Sequence, residues 1–203
     1  MRAPSVAAGL RARPEHSRSR GGQGRPPVPM LGALVFAIVA SGCTPRVEGT
    51  VTNIDGQPVD LATYRGKVLV IVNVASECGY TPQYADIQAL YAKYQDRGVE
   101  VLAFPSNDFG GQEPNDRAAI KELAQREYGA TFAMFDKVHA TGPEIAPLYA
   151  FLTTKALPKE QRGPVKWNFE KFIVDKSGKV VARFPSKIEP LDPKLTQTIE
   201  SLL

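Results

Sequence analysis

Of the two cysteines in this chain, Cys78 stands in Ser76-Glu77-Cys78-Gly79-Tyr80-Thr81-Pro82, just after an apolar run and just before a helix start. A thiol at a strand-to-helix turn faces the positive end of a helix dipole, which favours the thiolate. The thiolate is the form that attacks, so the chemistry expected is nucleophilic or redox chemistry at sulfur. The other cysteine, Cys43, ends a segment with the order of an export signal. Catalysis in the mature protein therefore rests on one thiol. Thr81 stands where a Cys-x-x-Cys motif would carry its second sulfur, which excludes intramolecular dithiol exchange.

The elements that must position Cys78 follow from periodicity and turn chemistry. Residues 49–54 and 57–61 flank Asp55-Gly56 and predict a hairpin, the Asp-Gly pair favouring a tight primed turn. The continuous apolar run Val68-Leu69-Val70-Ile71-Val72 predicts a buried central strand leading to Cys78. Thr81 can N-cap a helix with Pro82 at its first position, and Tyr84, Ile87, Leu90, Tyr91 and Tyr94 give it a core-facing stripe, ended by Gly98. A second buried strand over 99–104 runs into a loop of breakers, 105–114. Asn115 or Asp116 can cap a helix carrying Ile120, Leu123 and Ala124, stopped by Gly129, and another helix is expected over 145–153. Residues 157–166 are polar and predict a surface loop. A hairpin over 169–174 and 179–184 and a helix opened by Asp192-Pro193 complete the chain. This order predicts an α/β protein: a thioredoxin-like fold with a central mixed sheet flanked by helices and an extra N-terminal β-hairpin.

Charge separates the first 42 residues from the rest. The chain has 25 basic and 21 acidic residues. Six arginines against Glu15 precede residue 43, so residues 43–203 carry 19 basic and 20 acidic side chains. The basic balance belongs to the leader, and nucleic-acid binding loses its electrostatic basis. The leader continues through the apolar run 31–40 to Ala40-Ser41-Gly42-Cys43, a secretory pattern too short to span a bilayer. The junction resembles a bacterial lipobox, although leucine is commoner at the position of Ala40; the resemblance implies cleavage before Cys43 and its lipidation. Translation from Met30 would remove the basic n-region and weaken this reading. The expected organisation is a signal segment over 1–42, a tether over 43–48 and a catalytic domain over 49–203. The protein is expected in a bacterial cell envelope, lipid-anchored and facing the periplasm. Thr44, not aspartate, follows Cys43, which by resemblance favours the outer membrane.

Three blocks together resemble the signatures of the glutathione peroxidases: Asn73-Val74-Ala75-Ser76-Glu77-Cys78-Gly79-Tyr80-Thr81, then Ala103-Phe104-Pro105-Ser106-Asn107-Asp108-Phe109-Gly110-Gly111-Gln112-Glu113-Pro114, then Lys166-Trp167-Asn168-Phe169-Glu170-Lys171-Phe172. Their order and spacing make the match specific, and it runs from about Val51 to the C-terminus. The resemblance implies a thiol peroxidase reducing hydrogen peroxide and organic or lipid hydroperoxides. It makes Cys78 the peroxide-reducing residue, with Gln112, Trp167 and Asn168 as its hydrogen-bonding partners. Amide and indole N–H donors suit that role, because charge develops on the leaving oxygen and none of the three is a base at neutral pH.

The departures from the family also carry expectations. Ser106 and Asp108 replace a cysteine and a glutamine common there, and Ala124 lies near the resolving cysteine of thioredoxin-dependent members. A one-cysteine cycle is expected, without bound cofactor or metal, drawing on glutathione or a thioredoxin-like protein as external thiol. The short loop before Trp167 favours a monomer by resemblance. His139 is expected to be a surface or structural residue. Asp108 and Glu113 are expected to be explained by loop solvation and helix capping. Two further readings remain beside the peroxidase: a monothiol exchange enzyme acting on mixed disulfides, and a non-enzymatic tethered interaction domain. The Gln112 and Trp167-Asn168 blocks argue against both.

Overall fold

The computed structural model describes residues 45–203, apart from 155 and 156. The signal segment and Cys43 lie outside the described residues. The packed chain begins at Val47, which is buried and donates its N–H to the Gly178 carbonyl at 2.7 Å. Part of the segment expected to be a tether is therefore docked on the domain, two residues before the expected start at 49.

Strands β1 (Thr50–Thr52) and β2 (Pro58–Asp60) form the N-terminal hairpin. Its connection is wider than the expected two-residue primed turn. Asn53 N–H donates to the Gln57 carbonyl, Gly56 takes φ 83°, and the Asn53 side chain accepts from Asp55 and Gln57 N–H. A five-residue loop organised by asparagine results, with glycine at its left-handed position.

The main sheet has the order β5-β4-β3-β6-β7, from β3 (Val68–Val74), β4 (Val99–Pro105), β5 (Ala133–Met134), β6 (Lys171–Val174) and β7 (Val180–Phe184). All seven residues of β3 are buried, as its continuous apolar run requires of a central strand. β3 and β4 run parallel, with Val74 opposite Pro105. β6 runs antiparallel to β3, with Lys171 opposite Val72. The segments leaving β3 and β4 and the segment entering β6 therefore emerge at one end of the sheet. Ligand sites of open α/β sheets lie at such carboxyl ends.

Among the described residues four helices flank the sheet: α1 (Gln83–Tyr94), α2 (Arg117–Tyr128), α3 (Pro147–Thr153) and α4 (Pro193–Glu200). α1 buries Tyr84, Ile87, Leu90 and Tyr94 against Val68, Val70, Val72 and Val101. The opposite face packs Leu69, Ile71, Phe104 and Phe172 against Leu148, Tyr149 and Leu152 of α3. Asp116 caps α2 by accepting from Ala119 N–H, and Gly129 ends it at φ 65°. Residues 157–166 are not wholly a surface loop, because Leu157 and Val165 are buried.

Candidate active site

Cys78 lies in the turn between β3 and α1 and is 7% exposed. Its backbone N–H donates to Thr81 Oγ1 at 3.0 Å, while Thr81 Oγ–H donates to the Ala75 carbonyl at 2.9 Å. Thr81 thus closes the cysteine turn instead of capping α1, whose first residue, Gln83, follows turns closed by Gln83 and Tyr84 N–H. The sulfur accepts the Tyr80 N–H at 3.4 Å.

The loop after β4 brings Gln112 to this turn. The Gln112 carbonyl accepts Glu77 N–H at 3.0 Å, one residue from Cys78. Its side-chain Oε1 accepts from Asn168 Nδ2 at 3.1 Å. Gln112 therefore joins the cysteine turn to the segment entering β6. Trp167 is 39% exposed, its ring lying 6.1 Å from that of Phe109. Gly110 lies against the Trp167 ring, 3.6 Å from where a Cβ would stand, and its φ of 69° is the left-handed conformation that favours glycine.

Trp167 and Asn168 are held from both sides. Asn73, at the end of β3, donates Nδ2 to the Trp167 carbonyl at 3.0 Å and accepts Phe169 N–H on its own carbonyl. Phe169 takes φ 65°, the positive value found at no other non-glycine residue described. A bulky residue there costs roughly 1–3 kcal/mol and persists only when its surroundings enforce it. Asn73 and an edge-on contact with Tyr84, ring centroids 5.6 Å apart, supply that enforcement. On the other side, buried Glu170 accepts Lys166 N–H and pairs with Arg183, whose guanidinium also donates to the carbonyls of Gln161, Gly163 and Pro164.

The arrangement brings Gln112 and Asn168 into direct contact and places Trp167 beside the Gly110 turn. Among the described residues the hydrogen bond to the sulfur comes from Tyr80 N–H, not from the three expected side chains. Such contacts often tighten only when the reacting molecule is bound. Asn73, Ser76, Glu113 and Glu170 were not expected in the site's framework. All four nevertheless stand within the three signature blocks, and a polar Asn73 in an otherwise apolar strand is a local signal as well. Glu113 is fully buried, with Ser76 N–H and Oγ–H both donating to its Oε2 at 2.9 Å, so loop solvation does not explain it. Burial pushes its pKa up, against the Ser76 bonds, Lys137 and Asn115. Asp108 accepts from Ser106 Oγ–H and from Ala140 and Thr141 N–H, pinning the loop after β4 to residues 139–141. His139 is exposed, and its contact with Asp108 at 2.7 Å raises its pKa. No group of three His, Cys, Asp or Glu side chains among the described residues is arranged to hold a metal ion.

Comparison with known proteins places this geometry. A family model for glutathione peroxidase matches residues 47–153. The chain is 48% identical over 155 residues to the hydroperoxy fatty acid reductase gpx1 of Synechocystis sp., covering 74% of this chain and 90% of the relative. It is 42% identical over 149 residues to a glutathione peroxidase of Lactococcus lactis subsp. cremoris, covering 73% and 93%. The crystal structure of T. cruzi GPX1 superposes with TM-score 0.59 at 33% identity, covering 76% and 91%. A thioredoxin-family thiol:disulfide interchange protein from Chlorobium tepidum TLS superposes with TM-score 0.58 at 16% identity, covering 78% and 95%, which shows the fold alone.

Proposed function

The chain belongs to the glutathione peroxidase family, and from that premise we propose how Cys78 and its neighbours carry out thiol-dependent reduction of hydroperoxides. The Cys78 thiolate attacks one peroxide oxygen; an S–O bond forms and the O–O bond breaks. The sulfur becomes a sulfenic acid and the other oxygen leaves as an alkoxide or hydroxide that takes up a proton. Gln112 is the donor aimed at the developing charge. The observation that carries this reading is the Asn168-to-Gln112 hydrogen bond, because it occupies the Gln112 oxygen and leaves its NH₂ group available to donate. The Trp167 indole N–H is the second donor, and water completes the proton relay.

An external thiol then attacks the sulfenic acid, releasing water and forming a mixed disulfide. A second thiol displaces Cys78 and leaves as the oxidised reductant. No bound cofactor or metal enters this cycle. The substrates are hydrogen peroxide and organic or lipid hydroperoxides, and the reductant is glutathione or a thioredoxin-like protein. We place the protein as a monomer in a bacterial envelope, anchored through lipid on Cys43 and facing the periplasm. The lipobox-like junction and the charge of the leader support that placement. Family membership and the retained Gln112–Asn168 pair do not favour a monothiol exchange enzyme or a non-enzymatic domain.

Steady-state consumption of hydrogen peroxide and a fatty-acid hydroperoxide, with glutathione and with thioredoxin as donors, tests the reading. Thiol-dependent consumption is expected; none with either donor would refute it.

A further inference from the structure

We propose that Glu113 is a positioning residue of the peroxidatic site, setting the placement of the Gln112 donor relative to Cys78 by gripping Ser76. The inference rests on the peroxidase reading above and assigns a role to a residue outside that mechanism.

Two adjacent residues of the loop after β4 hold two adjacent residues of the cysteine turn. The Gln112 carbonyl accepts Glu77 N–H at 3.0 Å, and the Glu113 carboxylate accepts both Ser76 N–H and Ser76 Oγ–H at 2.9 Å. Cys78 follows immediately. Glu113 is itself fixed, because its N–H donates to Asn107 Oδ1 at 2.8 Å and its carbonyl accepts from Lys137 Nζ at 3.0 Å. Residues 107, 112 and 113 thus share one frame with Ser76 and Glu77. A carboxylate accepting two donors at one oxygen gives stronger, shorter bonds than a neutral acceptor would. Without it, Ser76 would keep two buried donors unpaired.

The carboxylate carries a cost. It is fully buried, and its pKa is raised chiefly by that burial. Lys137 lies on the segment after β5 and Tyr84 on α1; both are electrostatically coupled to Glu113. A neutral acceptor would avoid the desolvation penalty but weaken the grip. A carboxyl gripping two donors of the cysteine turn suits a demand for rigid placement, because an error of about 1 Å at a reacting centre can lower rate about 10²-fold.

The test compares wild type, Glu113→Ala, Glu113→Gln and Ser76→Ala by two rates at Cys78. The first is stopped-flow oxidation by hydrogen peroxide, followed through Trp167 fluorescence. The second is alkylation by iodoacetamide, which needs the thiolate but no donor for a leaving peroxide oxygen. Oxidation is expected to fall about 10²-fold in Glu113→Ala and by less in Glu113→Gln and Ser76→Ala, each of which keeps part of the contact. Alkylation should change little. Equal loss of both rates across the variants would reduce Glu113 to general support of the fold and overturn the proposal, as would wild-type oxidation rates throughout. If Glu113→Ala does not fold, the other two variants decide on the same criteria. If wild type itself is not oxidised by peroxide, the peroxidase reading fails instead.

Discussion

Asn168 donates a side-chain N–H to the Oε1 of Gln112 at 3.1 Å, across 56 residues of sequence. One amide therefore orients the other. In the proposed mechanism the two side chains lie in series, and Asn168 would act on the peroxide step through Gln112. Single replacements, Gln112→Ala and Asn168→Ala, should each slow Cys78 oxidation by about 10- to 10²-fold, less than the full loss of an aimed donor, because water and the Trp167 indole share the task. In a Gln112→Ala background, Asn168→Ala should add little, since residues in one hydrogen-bond network are not additive. Stopped-flow oxidation of the two single variants and the double variant measures this directly. Fully additive losses would show that Asn168 acts independently.

Lys171 gives a stability prediction with a definite sign. It is fully buried on β6, and its Nζ donates to Gln83 Oε1, to the Ile188 carbonyl at 2.6 Å and to the Ser186 carbonyl at 3.3 Å. Burial lowers its pKa to about 8, opposed by Glu189, Glu170 and Asp86. Between that value and the unfolded value near 10.4, the unfolded chain binds the extra proton, so stability rises with pH. The slope from this residue is at most about 1.4 kcal/mol per pH unit. Above about pH 10 the buried phenols of Tyr84 and Tyr149, whose pKa values burial raises, act in the opposite direction. Urea unfolding from pH 7 to 10 should show the rise in wild type and its loss in Lys171→Met. A pH-independent difference between the two proteins would contradict it.

These two networks mark the boundary of what the sequence makes legible. The apolar run of β3, the stripe of α1 and the Asp116 and Gly129 ends of α2 follow from local period and cap chemistry, and they appear where expected. β5 was not foreseen, because two residues give no alternation to detect. Thr81 has the composition of a cap, yet its hydroxyl closes the Cys78 turn, a choice set by the Ala75 carbonyl beside it. Glu113 and Lys171 look solvated in sequence, as most charged residues are. Their burial depends on partners 37 and 88 residues away, Ser76 and Gln83, which no local pattern contains. The signature blocks name Gln112 and Asn168, but only the folded chain shows that they touch.

Cys43 yields a prediction about the mature terminus. Cleavage before it and acylation should give a protein whose intact mass contains lipid and which partitions with membranes. Each buried methylene contributes about 0.8 kcal/mol, so more than one acyl chain gives stable anchoring. Cys43→Ser should release the protein into the soluble fraction. Mass spectrometry finding an unmodified Met1 or Met30 terminus on the native protein would exclude this route.

The last prediction concerns what happens to Cys78 once it is oxidised. Closing an internal disulfide needs a second sulfur within reach, and the described residues contain one free cysteine, Cys78. Ser106 and Ala124 are fully buried and Thr81 is nearly so, and none of the three carries sulfur. Cys43 is expected to be blocked by lipid. In the proposed one-cysteine cycle the sulfenic acid waits for an outside thiol, and excess peroxide can carry it on to the sulfinic acid, which is generally irreversible. Inactivation at high peroxide and low reductant is expected. After one equivalent of peroxide without added thiol, intact-mass analysis should show the gain of about one oxygen. Cys78→Ser should abolish both the mass gain and turnover while keeping the fold. A product lighter by two hydrogens, with Cys78 joined to Cys43, would instead establish a two-cysteine cycle, and sensitivity to over-oxidation should then fall.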